Sequence, residues 1–248
     1  MNSNRDRANA AGILFIGAAV ASIIGLLLYD PILNDPNYII GGTANETFIL
    51  WGAFFEIILA FSVIGTSVTL FPVLKEYNES MALGTICFRV LEAVLISIGI
   101  ISLLSLVTLS HEFTNTSDTS SFLVAGKLLL SIHNWTFLYG PNLALGPSTL
   151  LTSYLLYKSK LVPRPIAVLG LVGGPLIFTC GLLVMFGAFL QISVWGALLA
   201  IPVFCYEMSL AVWLIAKGFR SAPVIADPVQ NLFQLAAHNK STSGELSN

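Results

Sequence analysis

The sequence predicts an all-α, polytopic bundle of six transmembrane helices with both termini cytoplasmic. Three observations carry this. Only 10% of the 248 residues are charged, against about 25% in a soluble domain that must keep a solvated exterior. The apolar residues, 56% of the chain, come in long runs rather than at one-face spacing, as in helices surrounded by apolar groups on every side. The Lys and Arg residues also fall in alternate connections.

A span needs about 20 mostly apolar residues to cross roughly 30 Å of hydrocarbon. The first candidate is Ala11 to Tyr29, ended by Asp30-Pro31. The leader at residues 1–9 and a weak cleavage-like site at Ala19 and Ala21 imitate a signal peptide, but the apolar stretch suits an uncleaved span better. The second span runs from about Phe48 to Leu74 and the third from Ala82 to about Leu109. The fourth lies within Ser121–Tyr157, the fifth is about Ile166–Phe186 and the sixth about Ile192–Ala216.

Orientation follows from the positive residues, which stay on the cytoplasmic side. Arg5 and Arg7 precede span one, Lys75 separates spans two and three, and Lys158, Lys160 and Arg164 separate spans four and five. Lys217 and Arg220 follow span six. The alternate connections, Asp30–Thr47 and Ser110–Ser120, hold no Lys or Arg and carry Asp30, Asp35, Glu46, Glu112 and Asp118. The domain division is therefore a cytoplasmic N-terminus at 1–10, a membrane domain at 11–220 and a polar cytoplasmic tail at 221–248. Within the tail, Ala226–His238 has a short amphipathic pattern, with Asp227 placed to cap it and Pro228 in its first turn.

Ser121–Tyr157 is too long for one straight span, at about 1.5 Å per residue. It contains helix breaks at Gly140-Pro141 and Gly146-Pro147, where each proline removes a donor and its ring crowds the preceding turn. One broken or tilted span, preceded by a partly immersed outer segment, agrees with the charge pattern. A seven-helix reading stays open. Small residues at Gly17, Ala21 and Gly25, and at Gly170 and Gly174, form ridges for close helix approach, for which packing inside one bundle is the plainer use than dimerisation.

The balance of 11 basic and 13 acidic residues offers nothing to a nucleic acid. The partners are the lipid bilayer, with a small molecule or ion as ligand, and an oligomer or membrane partner protein remains open. Cys87, Cys180 and Cys205 lie in apolar runs, where they read as packing residues rather than a disulfide or metal set. No HExxH, GxSxG, phosphate loop or dinucleotide fingerprint occurs, and no cofactor or metal is predicted.

The informative residues are ionisable ones inside the spans: Glu56, Arg89, Glu92, Lys127, His133 and Glu207. A charge at the bilayer centre costs about 2.5–3.5 kcal/mol on insertion scales, so each is expected to face the interior and find a partner. Arg89 and Glu92 share a helix face at i,i+3, and Lys127, Ser131 and Asn134 would form a stripe. Three carboxylates against two permanent cations leave one carboxylate, or His133, without a fixed partner. The expected site is a polar pocket of Glu56, Arg89, Glu92, Lys127, His133, Asn134, Trp135 and Glu207. The plainer alternative is an ion-pair network that only fixes helix register.

Several segments occur in a characteristic order: AGILFIGA, FPVLKEYNESMALG (Phe71–Gly84), GTICFRVLEAVLISIG (Gly84–Gly99), HNWTFLYGPNLALGP (His133–Pro147), YLLYKSKLVPRPIAVLGLVGG (Tyr154–Gly174) and FCYEMSLAVWLIAKGF (Phe204–Phe219). Together they resemble the bacterial membrane proteins grouped as domain of unknown function 4386, over about residues 8–220. The resemblance implies a bacterial inner-membrane location and one helical domain, and it brings no activity. It points to Arg89, Glu92, His133, Trp135, Gly140, Pro141, Pro163, Arg164, Glu207 and Trp213 as motif positions. Asn134 departs from the Asp expected in that motif, which removes one acidic partner beside His133. Three functions fit: a small-solute or ion binding, transport or sensor protein, an integral membrane enzyme acting on a lipid or quinone, or a non-catalytic membrane partner.

Overall fold

The computed structural model describes residues 3–33, 46–113 and 119–220. Among them there are only helices and short connections. α1 is Ser3–Leu33, α2 Glu46–Leu74, α3 Glu79–Phe113 and α4 Thr119–Leu138. A π-helical segment, Tyr139–Ala144, joins α4 directly to α5, Leu145–Ser159. α6 is Arg164–Met185 and α7 Val194–Ala216. α1, α2, α3, α6 and α7 are each long and apolar enough to cross a membrane. The sixth helical pass is the unbroken 119–159 unit, and α3 packs along all three of its parts. The segment is one pass rather than two.

Four helix ends, two in α1 and two in α3, differ most from those the sequence suggested. α1 starts at Ser3, so Arg5 and Arg7 belong to its first turns, and it continues through Asp30-Pro31 to Leu33. A proline in a last turn removes one donor and leaves little helix to disrupt. α3 extends about a turn beyond Ala82 and Leu109 at its two ends. At the expected break Gly140-Pro141 the α-helix gives way to a π turn without the chain leaving helical form, and at the expected break Gly146-Pro147 the α-helix continues. The first pair lies in the π segment, whose wider turn accommodates the ring, and the second in the opening turn of α5. Pro141 has no N–H for the carbonyl of Phe137, four residues earlier. Gln191, in the α6–α7 connection, supplies the donor instead, its Nε2 lying 3.1 Å from that oxygen. The amphipathic pattern at Ala226–His238 lies outside the described residues.

Successive passes pack as neighbours, and α1 also packs on α7, so the six passes close into a ring at one end. Arg5, Lys75, Lys158 and Arg164 mark this basic end. There Ala8, Ala11 and Phe15 of α1 join Leu70 and Leu74 of α2, Leu155 and Leu156 of α5, and Leu210 and Leu214 of α7 in the largest apolar core. Arg5 caps the end of α7 by donating to the Ile215 carbonyl at 2.6 Å. At the opposite end the ring is incomplete. α4 packs extensively on α3 and the π segment, and meets α1 through the His133 and Tyr29 side chains rather than by close backbone packing. α6 and α7 are 22 and 23 residues long, whereas α3 has 35. At 1.5 Å per residue α3 therefore outruns them by roughly 18 Å. α1 and α4 face each other across the resulting gap.

The small-residue ridges pack inside the molecule. A Cβ on Gly17 would lie 3.6 Å from the Ser62 Oγ, and one on Gly25 would lie 3.3 Å from the Glu56 Cγ. Gly170 receives Ser153 and Tyr206, and Gly173 meets the backbone of Val203. Cys87, Cys180 and Cys205 are free thiols.

Candidate functional site

The buried ionisable residues fall into two groups, not one. Near the basic end, Arg89 and Glu92 lie one turn apart on α3, and Glu207 reaches them from α7. Arg89 Nη2 is 2.7 Å from Glu207 Oε1, and its Nη1 is 3.3 Å from Glu92 Oε2. The interhelical partner that the sequence left open is thus Glu207, not Glu56. The guanidinium also sits 6.0 Å from the Phe15 ring centroid. Arg89 and Glu92 are buried in a closed part of the ring. One cation holds two carboxylates and ties α3 to α7. Close by, Thr152 donates to the Ser148 carbonyl at 2.8 Å, and its hydroxyl oxygen lies 3.4 Å from that of Thr85 where α5 packs on α3.

The second group lies toward the opposite end. Glu56 is ten residues from the start of α2, or about 15 Å along its axis. It is buried and has no cationic partner among the described residues. The Tyr29 hydroxyl, near the end of α1, donates to its Oε2 at 3.1 Å. The His133 ring of α4 meets the Tyr29 ring edge-on at 5.4 Å and stacks on Phe137 at 6.2 Å. His133 Nδ1 is buried without a hydrogen-bond partner. A buried polar atom in that condition costs free energy unless something binds it.

Close approach of α1 and α2 builds this arrangement. A Cβ on Gly52 would collide with the Tyr29 ring, and Gly25 lies against Glu56. Each helix places a glycine where the other places its polar side chain, four residues from its own. Bare backbone on both sides lets the Tyr29 hydroxyl and the carboxylate meet.

Tyr29, Glu56 and His133 line a cavity of about 230 Å³ whose remaining walls are mainly apolar, with Leu26, Leu59 and Ile96 among them. Its mouth lies in the gap between α1 and α4, rimmed by exposed Ile23, Asn134 and Ile192. A second hollow of about 410 Å³ adjoins it, shares Leu33, Asn134, Phe137 and Ile192, and runs past Trp135 and Leu190. A concave, mostly apolar space with a few converging polar groups is the usual form of a small-molecule site.

The structure therefore separates the sequence candidates. Glu56, His133 and Asn134 face the cavity, Trp135 faces the adjoining hollow, and Arg89, Glu92 and Glu207 form the closed ion-pair cluster. Lys127 is exposed on α4 and belongs to neither group. Gly140 is buried against α3, Pro141 lines the cavity, and Gly146 packs on α6 while Pro147 follows it in α5. No cluster of three or more metal-binding side chains occurs among the described residues. Tyr29 and Gln191 escaped sequence reasoning. A tyrosine at a span end reads as an ordinary interfacial aromatic. The paired spacing Gly25–Tyr29 and Gly52–Glu56 was the available signal.

The model of the family described as Domain of unknown function (DUF4386) matches residues 10–218. The chain belongs to that family. The match covers all six helical passes and both polar groups, so this DUF4386 chain carries its cavity and its ion-pair cluster within the family's domain. Comparison with curated proteins and with solved structures gives no match.

Proposed function

We propose that this membrane protein is a small-molecule receptor whose binding site is the Tyr29–Glu56–His133 cavity, entered sideways between α1 and α4. The observation that supports this most is a buried carboxylate with no cationic partner among the described residues, in a laterally open space that is also lined by His133, whose Nδ1 has no hydrogen-bond partner. The positive-residue pattern supports cytoplasmic termini and the family resemblance implies a bacterial inner membrane; in that setting the mouth opens to the outer leaflet. A binding or sensing role fits better than a through-channel, because the ion-paired core closes the basic end. A lateral mouth would also suit an enzyme acting on a membrane-dissolved substrate. Of the hydroxyls around Glu56, that of Ser22 is committed to the Ala19 carbonyl at 2.9 Å and that of Tyr29 donates to Glu56 itself, an arrangement that the receptor reading explains as holding the carboxylate in place.

The test is to extract and identify, by mass spectrometry, what the mildly solubilised protein retains. Wild type is expected to hold a small amphiphile near one per chain, and Ser22→Phe, which fills the cavity from α1, is expected to lose it while remaining folded. Equal retention by both proteins would remove the cavity as the binding site.

A further inference from the structure

We infer that the ligand is a lipophilic monocation, an alkylammonium-type amphiphile whose charged head sits against Glu56 and whose tail lies in the adjoining hollow; this rests on the cavity being the binding site. Charge is the first argument. Among the described residues, Glu56 is the only Asp or Glu lining the cavity, and no Lys or Arg lines either it or the adjoining hollow. A carboxylate in that setting lacks a counter-ion, and a ligand cation would supply one. An anionic head would meet a like charge instead.

Shape and aromatic character point the same way. The Tyr29 ring reaches the carboxylate through its hydroxyl, and His133 and Phe137 continue an aromatic wall from it along the same cavity, a lining that favours alkylated ammonium groups. The Tyr29 hydroxyl already holds one carboxylate oxygen in place. Pockets for drug-sized ligands run to roughly 300–1,000 Å³. The cavity, at about 230 Å³, therefore admits a small head group and its first methylenes, not a whole lipid. The 410 Å³ hollow continues from the shared residues Leu33, Phe137 and Ile192 along Trp135 and Leu190, a surface suited to an alkyl chain.

Among the described residues no Lys or Arg lies in either lining, which also selects among amphiphiles. A zwitterionic phospholipid would bring a phosphate with no Lys or Arg there to pair it. A singly charged cation has no such group.

The experiment uses the full chain in lipid nanodiscs and measures saturable binding of radiolabelled dodecyltrimethylammonium. Unlabelled dodecanol and dodecylphosphocholine serve as neutral and zwitterionic competitors. The expected result is one site per chain, weakened at least tenfold in Glu56→Gln, abolished in Ile23→Trp at the exposed rim, and poorly displaced by either competitor. If dodecanol displaces the probe as well as the unlabelled cation does, and Glu56→Gln binds like wild type while Ile23→Trp does not, the cationic specificity is overturned and the cavity reading survives. If dodecylphosphocholine displaces the probe equally well, the site recognises a lipid headgroup and the monocation is overturned. If no saturable binding exists and Ile23→Trp matches wild type, the proposal is overturned. The retained-amphiphile experiment on Ser22→Phe then decides separately whether the cavity reading also fails.

Discussion

The two halves of this bundle use the same residue type in opposite ways. At the basic end, Glu92 and Glu207 share Arg89 inside a closed ring of helices. At the other end, Glu56 has only a tyrosine hydroxyl and faces a cavity. A buried charge is tolerable when its partner is built into the fold, and it becomes a liability when it is not. The paired half therefore reads as architecture. The unpaired half carries a cost that binding could offset.

Removing Arg89 should have the largest effect. Arg89→Ala strands two carboxylates in an apolar interior, and losing one side of such a pair costs about 3–5 kcal/mol. Thermal unfolding in detergent should show a large fall in Tm or a failure to accumulate. A near-wild-type Tm would mean that the cluster is hydrated and the contrast between the halves is false.

Gly52→Ala comes next. Its methyl would collide with the Tyr29 ring, and overpacking of this kind costs about 1–3 kcal/mol. The shift would also pull the hydroxyl from Glu56, so Tm and amphiphile binding should fall together. Binding that survives a lowered Tm would show that the ligand does not depend on the Tyr29–Glu56 contact.

Gln191→Ala should have a smaller effect, about 1 kcal/mol, because it unpairs the Phe137 carbonyl that Pro141 already deprives of its helical donor. Hydrogen exchange should rise in the π segment and the α6–α7 connection and stay unchanged near Arg89. Increased exchange at both ends would indicate that the halves are mechanically coupled.

Much of the fold was legible because lipid imposes strong rules on a chain. Span lengths, the gathering of Lys75 and Arg164 at one end of the bundle, and the Arg89–Glu92 contact follow from rise per residue, charge placement and helical spacing. The contact between Arg89 and Glu207 was not legible, since it joins residues 118 apart and depends on how helices rotate in the ring. For the same reason, six ionisable residues that looked like one pocket became a cluster, a cavity and an exposed Lys127. The π segment was legible only as trouble at Gly140-Pro141. Its outcome depended on a distant glutamine supplying the missing hydrogen bond.

The most direct test of the division is the thermal stability of Glu56→Gln beside that of Glu207→Gln, measured in the same detergent without added ligand. Glu207→Gln deprives Arg89 of its closest carboxylate and should lose about 1–3 kcal/mol. Glu56→Gln keeps an acceptor for Tyr29 and removes a charge that nothing in the described fold balances, so its Tm should be unchanged or higher. A fall in Glu56→Gln as deep as that in Glu207→Gln would contradict the account, because Glu56 would then be holding the fold together rather than waiting for a ligand.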